Sequence, residues 1–189
     1  MSDIFLLKEL GIKTEVFNPN PSQETDSVLD LHDCSIRAIC GLTGESWEEV
    51  YTGLSNIGLT RHRMMNACSV LEEYLSRYGF INIKFYLYDF TNQLEFMHKY
   101  KEGRYIIIDK EHCFYYSNGV IYDNANSIEH IEASYSKKIR GLFVCVTNLQ
   151  FKYEISKALT KLESSSEAKD FHADKLRAMY ENAIKREEI

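Results

Sequence analysis

The chain has few breakers of regular structure: 9 glycines and only 2 prolines in 189 residues. Long disordered tracts, which are enriched in such residues, are therefore not expected. It has no apolar run approaching ~18 residues, the length that would read as a membrane-spanning helix. It lacks CxxC and HxxxH spacings, so no zinc or other metal site is expected. GxGxxG and GxxxxGK[ST] are also absent, and no cofactor is expected. The formal net charge is −6 with no long basic run, which disfavours non-specific nucleic-acid binding. The start, MSDIFLLKELG, carries acidic residues and a short apolar run, and does not read as a signal peptide. Five cysteines, at 34, 40, 68, 113 and 145, are odd in number and evenly scattered. That argues against a disulfide framework and for a reducing, cytoplasmic setting.

What is present is an ordinary globular composition, 44% hydrophobic and 26% charged. The 13 tyrosines suit strands and a polar-tipped core. Residues 3–10 read as a short helix, and 12–32, with both prolines, as a surface loop. Residues 34–44 form a short apolar helix closing at Gly41–Gly44. A capping box, Ser46 with Glu49, opens the next helix, with Trp47, Val50, Tyr51 and Leu54 as its apolar stripe and Gly58 as its stop. Residues 59–66 read as a loop and 67–78 as a third helix. A strand is expected over 80–88, then a helix over 92–101 capped by Thr91. RYIIID, 104–109, has the continuous apolar pattern of a central strand. HCFYYSNGVIYD, 112–123, is a hairpin turning at Asn118-Gly119, and 139–147 is a further strand. The fold class expected is α+β: N-terminal helices packed on an antiparallel sheet over residues 1–148, with a helical C-terminal appendage over 149–189.

Cys34 stands at a helix start. Unpaired N–H groups and the positive end of the helix dipole favour a thiolate there. A thiol nucleophile needs a base, usually histidine, held by a third polar group. His62, His98, His130 and His172 sit among polar or charged neighbours, and His32 is so close in sequence that it would point elsewhere around the loop. His112 opens the hairpin beside the core strand. With a two-residue turn, 117 opposes 120, 114 opposes 123 and 112 opposes 125. His112 and Asp123 then share a face as diagonal neighbours, while Asn124 faces the other way. Asp123 is therefore the orienting residue. Each residue alone has a plainer reading: a buried inert thiol, a structural histidine, a strand-ending aspartate. Their ordered combination is more specific. Cys40, Cys68 and Cys145 fall on apolar faces and read as core, and Cys113 alternates with His112 and should face away from the site.

HDCSIRAICGLTGESWEEVY and, later, GRYIIIDKEHCFYYSNGVIYDNANS resemble segments of the papain-like cysteine peptidase superfamily, in particular its small bacterial and phage members. The matching patterns are D-C-x-x-R-A, T-G-x-x-W-x-x-V-Y and G-R-Y…H…G…Y-D. The likeness covers residues 31–51 and 103–127. It implies a papain-like fold and a Cys34–His112–Asp123 triad that hydrolyses an amide, peptide or isopeptide bond in a protein or peptide substrate. It also implies that the Cys34 backbone N–H donates to the oxyanion. The position six residues before the cysteine, where such enzymes place an oxyanion-hole glutamine, holds Val28 here. The nearest upstream candidate is Gln23. Two alternatives stand beside it: a catalytically weak or inactive papain-like scaffold that acts as a protein-interaction module or a phage-encoded inhibitor of a host system, and an acyltransferase or deamidase using the same triad. The sequence leaves the oligomeric state open.

Overall fold

The Asn118-Gly119 turn has positive φ at both positions, 49° and 81°, the pair of left-handed conformations that a two-residue hairpin loop requires. It joins β4 (Cys113–Ser117) to β5 (Val120–Asp123), with Ser117 opposite Val120 and Tyr115 opposite Tyr122. The computed structural model describes residues 7, 9–20, 33–82, 92–110, 112–124 and 138–145, together with positions 177, 178 and 181. The other strands are β1 (Lys13–Val16), β2 (Phe80–Asn82), β3 (Arg104–Ile108) and β6 (Gly141–Cys145). They form one six-stranded sheet in the order β1-β5-β4-β3-β6-β2.

The sheet is mixed, which corrects the antiparallel expectation. β1 pairs parallel to β5, with Val16 opposite Asp123. This strand lies in the segment read from sequence as a loop. Its residues are mostly exposed, so no buried face announces it in the pattern. The remaining pairings are antiparallel.

Four helices are described end to end: α1 (Cys34–Thr43), α2 (Trp47–Arg61), α3 (Cys68–Leu75) and α4 (Gln93–Lys99). Successive strand residues point to opposite faces, and the core divides accordingly. On one face Ile106, Phe143, Cys113 and Tyr115 pack with Ile36 and Ile39 of α1, Val50 and Leu54 of α2, and Val70 and Leu71 of α3. On the other, Tyr105, Ile107, Phe114 and Tyr116 pack with Phe96 and Met97 of α4 and with Leu7. The unbroken apolar run of β3 needs cover on both faces, and receives it. Each such fully buried side chain contributes about 1.5–3 kcal/mol.

Several boundaries differ from expectation. The Ser46–Glu49 capping box is present, but α2 continues past Gly58 to Arg61 and stops at His62, which adopts φ 51°. The inner face of α2 is Val50, Leu54 and Ile57; Tyr51 is exposed and stacks on Trp47 at 4.9 Å. Asn92 is the N-cap of α4, accepting from the Glu95 N–H at 2.9 Å. Cys68 is exposed and Cys145 half-buried, so neither is a core residue; Cys40 and Cys113 are. Residues 83–88 of the expected strand and nearly all of the expected C-terminal appendage lie outside the described residues. Positions 177, 178 and 181 are helical. Among the described residues no helix is long and apolar enough to cross a membrane.

α1 approaches the sheet closely at Gly41. A Cβ there would stand 2.7 Å from Cδ1 of Tyr115 and 3.2 Å from its Cγ, the near end of a buried ring. Gly41→Ala gains about 1 kcal/mol of helix propensity, but overpacking typically costs about 1–3 kcal/mol. The expected result is net destabilisation in urea unfolding. An unchanged or raised midpoint would show that α1 and β4 have slack between them.

Candidate active site

β1 and β5 end, β3 ends and β4 begins at the same end of the sheet. The start of α1 comes to this end. Asp123 is the last residue of β5, and the Phe17 N–H donates to its carbonyl at 2.7 Å. His112 immediately precedes β4, and its backbone is clamped. Its carbonyl accepts from the Asp109 N–H at 2.9 Å, and its own N–H donates to Asp109 Oδ1 at 2.7 Å. Gln93 Nε2 donates to Asp109 Oδ2 at 3.0 Å. The Asp109 carboxylate therefore fixes the loop that presents the imidazole.

The structure brings Cys34, His112 and Asp123 together. His112 Nε2 is hydrogen-bonded to Asp123 Oδ2. Asp123 Oδ1 accepts from the Asn124 backbone N–H at 2.8 Å and from Arg37 Nη2 at 3.3 Å. Asn124 thus contributes its main chain to the site, and the hairpin register puts the carboxylate of Asp123 on the histidine. The imidazole is largely buried and stacks on Phe114, with ring centroids 6.3 Å apart. With Nε2 engaged, Nδ1 is the ring nitrogen left for the Cys34 thiol. Cys34 is half-buried at the first position of α1.

Burial of the His112 ring opposes its protonation. Hydrogen bonds to Asp123 and Cys34, with the negative charge of both, outweigh burial and raise its pKa from 6.5 to about 9. Burial dominates at the core thiols: it pushes Cys40 up to about 12 against a backbone hydrogen bond that lowers it, and Cys113, beside the negative charge of Cys34 and Asp123, well above the ordinary range despite the nearby cation of Arg37. Both are unreactive thiols by that criterion. Cys113 lies on the opposite sheet face from Phe114, as alternation requires, but that is the face on which Cys34 packs.

Sequence reasoning missed the buried charges beneath this group. α1 is buried almost all round, and Arg37 sits in its middle, 2% exposed. A guanidinium there needs carboxylates. It has Asp33, one turn earlier, through Nη1, and Asp123 through Nη2; both are also 2% exposed. Asp33 makes no side-chain cap on α1. Its Oδ2 instead accepts from Asn20 Nδ2 at 2.9 Å and Trp47 Nε1 at 3.0 Å. The available signal was the i,i+4 spacing of Asp33 and Arg37 on an otherwise apolar helix. Gln23, Val28 and His32 lie outside the described residues, as do His130 and His172. His62 and His98 are exposed and away from Cys34 in the fold.

The raised pKa of His112 has a stability consequence. The folded value, about 9, lies above the unfolded 6.5. Folding therefore favours the charged form, and the contribution is complete below pH 6.5 and lost as pH rises through 9. Urea unfolding should show the stability advantage of wild type over His112→Gln shrinking across that window, by an amount on the order of a few kcal/mol. A constant difference from pH 6 to 9.5 would mean that the imidazole is not held in its charged form.

No protein-family model matches the chain, and no curated protein and no solved structure matches it. The chemistry of this site therefore rests on its own residues.

Proposed function

We propose that the protein is a papain-like thiol hydrolase acting on an amide, peptide or isopeptide bond, with a protein or peptide as substrate. The observation that carries this reading is one imidazole placed between a carboxylate and a thiol, with the thiol on a helix start. An imidazolium beside a cysteine favours the thiolate, and so do the first N–H groups of a helix. Cys34 Sγ attacks the carbonyl carbon, and the oxyanion that forms accepts from the Cys34 backbone N–H. His112 delivers its proton to the leaving amine. The neutral imidazole then takes a proton from water, which attacks the acyl-enzyme and frees Cys34. Asp123 holds the ring tautomer and stabilises its charged form throughout. An amine in place of water would make the same residues an acyltransferase, and a side-chain amide as substrate would make them a deamidase.

One observation favours a second reading, an inactive scaffold that binds a partner protein. Asn20 and Trp47, whose side-chain N–H groups lie near the α1 start, both donate to Asp33. On that reading neither of these two side chains serves an oxyanion, and Gln23, outside the described residues, is the residue to examine.

Alkylation separates the two. Cys68 is exposed, so Cys68→Ser provides the background. At pH 6 an ordinary thiol is almost wholly protonated, and each unit by which its pKa falls raises the thiolate fraction roughly tenfold. In that background iodoacetamide should modify Cys34 at least roughly tenfold faster than the half-buried Cys145, and His112→Ala should remove the difference. Equal rates at the two cysteines, or labelling indifferent to His112, would leave the scaffold reading. For hydrolysis, a fluorogenic peptide library should report turnover that Cys34→Ala abolishes. Asp123→Asn should lower kcat by roughly 10²–10⁴, and turnover surviving Cys34→Ala would rule out the mechanism.

A further inference from the structure

Among the described residues Arg37 is one of the large fully buried side chains, and nothing in the chemistry above requires a cation at its position. Its two terminal nitrogens go to different places. Nη1 meets Asp33 Oδ1, on the residue that immediately precedes Cys34. Nη2 meets Asp123 Oδ1, 3.3 Å away, on the carboxylate whose other oxygen holds His112. One rigid planar group thus spans from the start of the nucleophile's helix to the end of β5.

We propose that Arg37 is a positioning residue: a buried strut that sets the α1 start, and with it Cys34, at a fixed distance from the Asp123–His112 pair. The inference rests on the reading of Cys34, His112 and Asp123 as one site, and its readouts need no substrate. Asp123 cannot rotate away from His112, because Arg37 and the Asn124 N–H hold its other oxygen. Asp33 balances the charge of Arg37 and is itself tethered by Asn20 and Trp47, so the strut is anchored at both ends. Among the described residues, the charged and titratable groups clustered at the imidazole and its partners are Cys34 and Arg37 from α1, Asp33 immediately before it, Asp123 from β5 and Cys113 from β4. Asp109, after β3, takes the His112 backbone N–H. Gln93 and Trp47, from α4 and α2, are neutral.

Arg37→Lys separates a strut from a mere counter-charge. Lysine keeps the charge, but its single ammonium has no planar fork to bond two carboxylates at separate nitrogens. In the full chain, NMR titration of the His112 ring should show its midpoint falling by at least one unit, from about 9 toward 6.5. Iodoacetamide labelling of Cys34 in the Cys68→Ser background should slow roughly tenfold. A His112 titration in Arg37→Lys identical to wild type would overturn the proposal and leave Arg37 as charge balance only. A second measurement needs no variant at Arg37 and covers the case in which Arg37→Lys does not fold. In wild type, the guanidinium resonances of Arg37 should shift with the same midpoint as His112, through their shared carboxylate. Guanidinium resonances blind to that titration would equally overturn it. Failure to find any hydrolysed substrate would count against the proposed activity without touching either result.

Discussion

The structure depends on a buried guanidinium held between two buried carboxylates. Arg37 sits inside a helix that is otherwise apolar, and Asp33 and Asp123 are as deeply buried as it is. Removing one partner from such a group typically costs about 3–5 kcal/mol, because the charge left behind has neither water nor a counter-ion. Three segments near the site are drawn toward this cluster. Asn20 brings in the segment after β1, Trp47 the start of α2, and Asp123 the end of β5. The apolar layers hold the helices against the sheet, but they are non-directional. The ionic cluster is directional, and it specifies where the α1 start must lie along the sheet.

The electrostatics of the site follow from that placement. His112 is buried enough that its charged form should be disfavoured, yet its pKa is raised. The cause is local: a carboxylate on Nε2 and a thiol facing the rest of the ring. The carboxylate is available to the imidazole along one edge only, since its other oxygen is occupied by Arg37 and the Asn124 N–H. A second set of bonds, from Gln93 through Asp109 to the His112 backbone, fixes the histidine from the opposite side. The imidazole is thus located by its backbone and oriented by its side-chain partner, two independent constraints.

The two halves of the site were legible to different degrees. The hairpin was readable because its turn chemistry is local: Asn-Gly admits the two positive φ values, and the register then places every side chain by parity. The choice of Asp123 over Asn124 follows from that parity. Helix starts at Cys34 and Ser46 were readable for a similar reason. Arg37 was not read as a site element, because an arginine in a short helix is equally compatible with a solvated face. β1 was missed because a mostly exposed edge strand has no alternation to reveal it. Cys68 looked like core by helical spacing, but a cysteine in the first turn of α3 faces outward.

By itself the sequence determined the local pieces: a cysteine at a helix start, a hairpin of set register, a buried central strand, and a capped second helix. Each depends on residues within a few positions of one another. Only the tertiary structure decided that β1 lies parallel to β5, that helices cover both faces of the sheet, and that Arg37 joins Asp33 to Asp123 across 86 residues of chain. Long-range partners of a buried charge are chosen by which groups the packed core leaves without water. That choice exists only once the core has formed.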